Sequence, residues 1–228
     1  MLPSEMVPID RVSAIVYDQL GPLDRIIKQS TDSIINTHIK QGVVDQKVSQ
    51  YRSNAYQDRM PYFLSDFYKK VEHDLDIDAR SYHIHIEILG EIVGSLRVTC
   101  APFEFKEVLP VSEGIPSEFD QYIELSRLIV DHNRWRADIG KLLITRAIQL
   151  AFDLQAKGIV ALCKRPTAMV FSRYGLEKYH SKPIIVASRH YQPYYLMHTT
   201  LRRLIMHIDS TTHNDKKTTV KNIAIPVV

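Results

Sequence analysis

Glu124, Ser126 and Arg127 interrupt the run Tyr122-Ile123-Glu124-Leu125-Ser126-Arg127-Leu128-Ile129-Val130, whose remaining residues read as a buried β-strand. A polar group inside an apolar strand must be paired or used. Period-two alternation sets Glu124, Ser126 and Leu128 on one face and Leu125, Arg127 and Ile129 on the other. The carboxylate and the guanidinium are thus predicted to point opposite ways. A carboxylate whose pKa is raised by partial burial suits general-base chemistry, and the cation suits an anchoring role. The competing reading is an ion-paired core strand.

The next segment, Asp131-His132-Asn133-Arg134-Trp135-Arg136-Ala137-Asp138-Ile139-Gly140-Lys141, reads as a strand exit, a basic loop and the first turn of a helix. Unpaired helix N–H groups beside Arg134, Arg136 and Lys141 make an anion site there. The GNAT superfamily of N-acyltransferases places a cofactor pyrophosphate at this point, on the pattern Arg/Gln-x-x-Gly-x-Gly/Ala. Here the pattern resembles it in degenerate form, Trp135-x-x-Asp138-x-Gly140. An Asp in place of a loop glycine argues against an ordinary coenzyme A cradle.

Three further islands sharpen the resemblance: Arg52-Ser53-Asn54-Ala55-Tyr56, then Asp76-Ile77-Asp78-Ala79-Arg80-Ser81-Tyr82-His83, then Gly94-Ser95-Leu96-Arg97-Val98. In this order, and followed by Glu124-Leu125-Ser126-Arg127, the chain resembles the acyl-homoserine lactone synthases and their relatives, the long-chain N-acyl amino acid synthases. The resemblance runs from about Arg52 to Gly175. It implies an α/β (α+β) fold with a central mixed, mostly antiparallel sheet flanked by helices. The implied activity moves a long-chain acyl group from a thioester to an amine, with acyl carrier protein or acyl-CoA as co-substrate and no tightly bound cofactor.

The resemblance makes Glu124 the base and Ser126 and Arg127 supporting residues. Arg52, Tyr56, Asp78 and Arg97 would bind the acceptor, with ion pairs between the arginines and Asp76 or Asp78 as the alternative. Arg134, Arg136, Ile139, Gly140 and Lys141 would hold the phosphopantetheine end of the donor. Arg165 and Arg173 would belong to a basic surface for acidic acyl carrier protein. The single Trp is Trp135, and the turn after the Arg97 strand is Thr99-Cys100-Ala101-Pro102, both unlike the lactone synthases. An amino acid is therefore the expected acceptor, with a lactone synthase using S-adenosylmethionine, an acetyl-CoA-dependent acetyltransferase and a non-catalytic acyltransferase-like binding module as the alternatives. Tyr56, Tyr62 and Phe63 would favour a large or aromatic side chain such as that of tyrosine.

The elements that must position these residues follow from periodicity. Asp18 to Lys40 is predicted as an amphipathic leading helix and Tyr62 to Val71 as a second, aromatic one. Ser81 to Leu89 and Ile92 to Thr99 alternate as a hairpin about Gly90-Glu91, and a Pro- and Gly-bearing loop follows. The helix after the Glu124 strand is expected to run to about Gly158, with a strand Ile159 to Cys163 behind it. Lys164-Arg165-Pro166 opens a helix ended by Gly175, Ile184 to Ser188 reads as a strand, and Tyr195 to Ile208 as a last helix. Residues 1–208 form one expected domain, and 209–228 a polar tail.

At 228 residues, 45% hydrophobic and 24% charged, the composition is that of a globular chain, and a formal charge of +3 suits an acidic partner. No nucleic-acid-binding signature, secretion signal or membrane-length segment is legible, so a cytoplasmic, bacterial-type enzyme is expected. Cys100 and Cys163 read as reduced core thiols. His83 and His85, on one strand face, read as core or surface histidines, and no metal is expected.

Overall fold

The computed structural model describes residues 35–42, 44–59, 76–110, 115–131 and 139–207. The predicted helix over Tyr62–Val71, the residues Arg134 and Arg136, and the polar tail lie outside these. Among the described residues eight strands join in one sheet, ordered β1-β2-β3-β4-β5-β8-β6 with β7 also paired to β8. They are β1 (Ile35–Gln41), β2 (Ser81–Ile88), β3 (Glu91–Cys100), β4 (Tyr122–Val130), β5 (Gly158–Cys163), β6 (Glu177–Lys178), β7 (Ile184–Val186) and β8 (Gln192–Thr200). Every pairing is antiparallel except β4 with β5. The mixed, mostly antiparallel sheet expected from the sequence is therefore the fold observed.

Alternation along β2 and β3 gives the sheet two unlike faces. Ile84, Ile86, Leu96 and Val98 point into the main core, which helix α3 (Ile139–Asp153) completes with Leu143, Ala147 and Ala151. Ser81, His83, His85, Ser95, Arg97 and Thr99 point the other way and are nevertheless buried. Helix α1 (Gln46–Arg59) lies over that polar face and sets Val48, Arg52 and Tyr56, four residues apart, against it. Burial of so many polar groups requires partners, and those of His83, Ser95 and Arg97 form the site described below.

Parts of two expected helices are strand where the sheet needs it, residues 18–34 of the first lying outside the described residues. Ile35 to Lys40, placed by periodicity at the end of a leading helix, pairs instead along β2, with His38 opposite His85. Gln192 to Thr200 pairs with β5 from Thr200 opposite Gly158 to Tyr195 opposite Cys163, and helix begins only at residue 201. The apolar spacings there fit either period, and pairing decides between them.

The stop of α3 is also earlier than Gly158. Gln155 takes the left-handed conformation (φ 54). Ala156 N–H donates to the Ala151 carbonyl at 2.9 Å, the six-to-one bond of a Schellman end. Gly158 is left to start β5, where it serves a different need. A Cβ there would lie 2.4 Å from the Thr199 carbonyl oxygen on the neighbouring strand and 2.4 Å from the Tyr122 ring. Because a backbone atom blocks it, Gly158→Ala is expected to lower stability by about 1–3 kcal/mol, read as a lower denaturant midpoint at unchanged slope.

Helix α4 (Arg165–Ser172) carries Pro at its start, and Gly175 (φ 82) follows its end, as the sequence suggested. The segment read as a plain loop after Cys100 holds a five-residue helix, α2 (Glu104–Val108), and a 3-10 turn, Ser117–Gln121. Phe103, Phe105 and Phe119 anchor both in a second core with Tyr122, Val160, Val186 and Leu196. Cys100 and Cys163 are free thiols, the latter pushed up to about 12 by burial.

Candidate active site

β4 and β5 run side by side only from Tyr122 opposite Gly158 to Glu124 opposite Val160. Beyond that point they diverge. β4 bulges against β3, where the register passes from Ser95 opposite Ile129 to Arg97 opposite Ser126, and Arg127 takes a positive φ of 55°. Such a bulge bends and over-twists its strand. The diverging edges enclose a cleft of about 470 Å3 whose lining includes Tyr56, Glu104, Glu124 to Val130, Gly140, Lys164, Phe171, Arg189 and Tyr194. One end is polar and charged, while Leu128, Leu162, Val170 and Phe171 give it apolar walls.

The bulge overturns the expectation that Glu124 and Arg127 face opposite ways. Strict alternation would send Arg127 into the α3 core beside Leu125. The extra residue turns it to the polar face, where its guanidinium lies 3.2 Å from Glu104 Oε1 and 5.5 Å from the Tyr56 ring centroid. Glu124 and Arg127 therefore line one cleft.

Glu104 is the centre of the network and was not singled out from the sequence. Its carboxylate accepts from Arg97 and Arg127 and lies 3.7 Å from Arg189. Burial disfavours its charge, yet Arg127, Arg97 and Arg189 together pull its pKa down to about 2. Its backbone N–H, which has no partner inside the first turn of α2, donates to Glu124 Oε2 at 2.7 Å. Glu124 has the opposite balance. Burial first, and the charge of Glu104 second, raise its pKa to about 8 against the opposing pull of Arg97. Two adjacent carboxyls are thus driven apart, one ionised and one titrating near neutrality.

Behind the lining, Arg97 is fully buried and gives NH1 to Asp78 at 2.8 Å, NH2 to Glu104 and Nε to Ser126 at 3.0 Å. Arg52 donates Nε to Ser95 at 3.1 Å, lies 3.9 Å from Asp78, and has its pKa lowered to about 10 by burial. Its NH2 also donates to His83 Nδ1 at 3.3 Å. Since a guanidinium only donates, His83 Nδ1 is the acceptor. Its Nε2 therefore carries the proton given to the Asp78 carbonyl at 2.9 Å, and burial lowers the ring's pKa below the usual imidazole value.

The sequence therefore singled out most of one cluster, Arg52, Tyr56, Asp78, Arg97, Glu124, Ser126 and Arg127, and the fold brings these together. It missed Glu104 and Arg189, which enter from α2 and from the 3-10 turn Ala187–Arg189 before β8. Phe103 and Phe105 flanking Glu104 were the available signal, an acidic residue between two core aromatics; Arg189 had none. Of the donor-side residues, Gly140 lines the cleft. Ile139 is buried in the core, its Cγ2 within 2.5 Å of where a Cβ on Gly94 would stand. Lys141 is half-buried, and Arg165 and Arg173 are exposed on and after α4.

The model of the acetyltransferase (GNAT) family matches residues 48–170. Comparison with curated protein sequences gives no significant match. Solved structures similar to this chain include TofI in a ternary complex with an inhibitor and MTA, at 17% identity and a TM-score of 0.56, covering 76% of this chain and 96% of that one. The AHL synthase LasI is similar at 15% identity and a TM-score of 0.55, over 77% of this chain and 95% of its own. FeeM, an N-acyl amino acid synthase from uncultured soil microbes, is similar at 10% identity and a TM-score of 0.54, over 75% and 93%. Likeness at such identity concerns the fold, while the family match spans more than half of the residues and takes in both β4 and most of the site around it. The chain belongs to the acetyltransferase (GNAT) family of enzymes.

Proposed function

We propose that this enzyme transfers a long-chain acyl group from an acyl carrier protein thioester to the amine of an amino acid, giving an N-acyl amino acid. The observation that carries the reading is the pair Glu104 and Glu124 at the charged end of a cleft with apolar walls. Glu124 takes a proton from the acceptor ammonium, directly or through one water. The freed nitrogen attacks the thioester carbonyl carbon, the C–S bond breaks, and the departing thiolate takes up the second proton that the nitrogen sheds as the amide forms. The edge of β4 beyond Glu124, which β5 leaves, accommodates the extended donor arm by strand-like pairing.

In this reading the arginine cluster receives the acceptor carboxylate, with Arg127 and Arg189 at the cleft held by Glu104, and Arg52, Arg97 and Asp78 behind them. Tyr56 lies against the acceptor side chain. Gly140 and Lys141, with Arg134 and Arg136, serve the phosphopantetheine phosphate, and Arg165 and Arg173 steer the acidic carrier protein. No helix among the described residues is long and apolar enough to cross a membrane, which fits the cytoplasmic location this donor requires.

A panel of free amino acids, their amides and S-adenosylmethionine, assayed with one long-chain acyl carrier protein and the matching acyl-CoA, tests the proposal. Amidation of the acceptor carboxylate removes a charge-assisted pair and is expected to cost on the order of 2–4 kcal/mol in kcat/KM. Equal rates for acid and amide would remove the carboxylate clamp. Preference for S-adenosylmethionine with a lactone product would replace the amino acid as acceptor.

A further inference from the structure

Away from the cleft, the polar face continues to the edge of the sheet and ends in two histidines and a carboxylate. His38 on β1 and His85 on β2 are directly opposed in the antiparallel register, and Glu87 follows His85 by two residues on the same face. The imidazoles stack with centroids 4.7 Å apart and planes 16° from parallel. His38 Nε2 lies 3.5 Å from one Glu87 oxygen, and His85 Nε2 lies 3.6 Å from the other. One ligand atom from each of the three residues falls within 4.8 Å of the others.

These separations do not suit hydrogen bonding. N–H···O bonds have a heavy-atom distance near 2.9 Å, and His38 Nε2, although buried as an atom, has no hydrogen-bond partner. The two nitrogen-to-oxygen separations do approach the edge of a tetrahedron around a metal. Bonds of about 2.0–2.1 Å to nitrogen and oxygen place neighbouring ligand atoms roughly 3.3 Å apart. Position and chemistry also agree: His85 is buried and fixed in β2, His38 sits on the edge strand, and Glu87 supplies one negative charge. Among the described residues the cation on this stretch of the face is Lys40, held by Asp45 at 3.3 Å, so its charge is largely offset.

We infer that His38, His85 and Glu87 bind one borderline divalent transition ion, with water completing the coordination. Two imidazoles and one carboxylate select zinc, nickel or copper over the hard oxygen-seeking cations. The ion would tie β1 to β2 on the face that carries Arg52 and the acyl-transfer cluster, stabilising the edge of the sheet without reaching the reacting atoms.

The test titrates the full chain with zinc chloride, and separately with cobalt chloride, in a non-chelating buffer, comparing wild type with H38A, E87Q and a control, H190A. His38 and Glu87 are partly exposed, so their replacement spares the core, and either variant suffices should the other fail to fold. One zinc ion per chain is expected in wild type and H190A, weakened roughly tenfold or more in both H38A and E87Q. Cobalt should give the visible absorption of a low-coordinate nitrogen and oxygen site in wild type and H190A, and not in H38A or E87Q. No stoichiometric zinc in wild type, or wild-type affinity retained in H38A and E87Q, overturns the proposal by removing the ion or placing it elsewhere.

Discussion

Glu124→Gln is expected to lower kcat about 100-fold or more while leaving the fold intact, because the amide keeps the shape and can still accept the Glu104 N–H but cannot take a proton. The loss should fall on kcat, since the group acts on the reacting nitrogen and contributes little to holding either substrate. The same substitution has a testable effect on stability. A carboxyl held up at about 8, against an ordinary value of 4.5, makes its full contribution below 4.5 and subtracts stability as pH rises from 4.5 to 8. Removing it should therefore leave E124Q melting no lower than wild type at pH 8.5, the pattern of a residue kept for chemistry. Near-normal turnover in E124Q with purified donor and acceptor would take Glu124 out of the base role.

Glu104→Gln is expected to be the most destabilising single change in the site, by about 3–5 kcal/mol, because it leaves Arg97, Arg127 and Arg189 buried around a neutral amide. Its pH dependence runs opposite to that of Glu124. A carboxylate held down to about 2 contributes stability that is present above its ordinary value of 4.5 and lost as pH falls through 2. The gap between wild type and E104Q should therefore be widest at neutral pH and close on the acid side. Removing the neighbouring negative charge also lets Glu124 ionise more easily, so the rise of rate with pH should move to lower pH in E104Q. Denaturant titrations from pH 3 to 8 measure the first effect and the pH profile of kcat the second. A loss below about 1 kcal/mol would mean that the arginines do not depend on this carboxylate.

These effects hang on details that were unevenly legible in the sequence. The hairpin from Ser81 to Thr99 was plain, because Ile84, Ile86, Leu96 and Val98 alternate with polar residues and both periods agree. The helix from Ile139 was plain for the same reason at a period of 3.6. Ile35 and Ile39 fit a helix turn as well as a strand face, and only the pairing of β1 with β2 resolves them. Leu196, Met197, Leu201 and Leu204 straddle the end of β8 and the helix that follows, so one period was read across a boundary.

In the site, the identity of Arg127 was legible and its direction was not. One bulged residue reverses the face of everything beyond it, and nothing in Leu125-Ser126-Arg127-Leu128 marks where the bulge lies. Glu104 was hidden by its setting. Between Pro102 and Pro110 it reads as loop, whereas its meaning comes from Arg97, Arg127 and Arg189, which three other segments deliver. Long-range charge pairing has no spacing rule to betray it.

At the centre of this account is one carboxyl of the Glu104 and Glu124 pair standing close to neutrality while its neighbour stays ionised. A titration of the glutamate side-chain carboxyl carbons by 13C NMR, with E124Q and E104Q assigning the two signals, tests this without any assumption about substrate. The expected result is a midpoint near 8 for Glu124, well above the ordinary 4.5, with Glu104 ionised throughout and the Glu124 midpoint lower in E104Q. A Glu124 signal that titrates near 4.5 in the wild-type protein would contradict it.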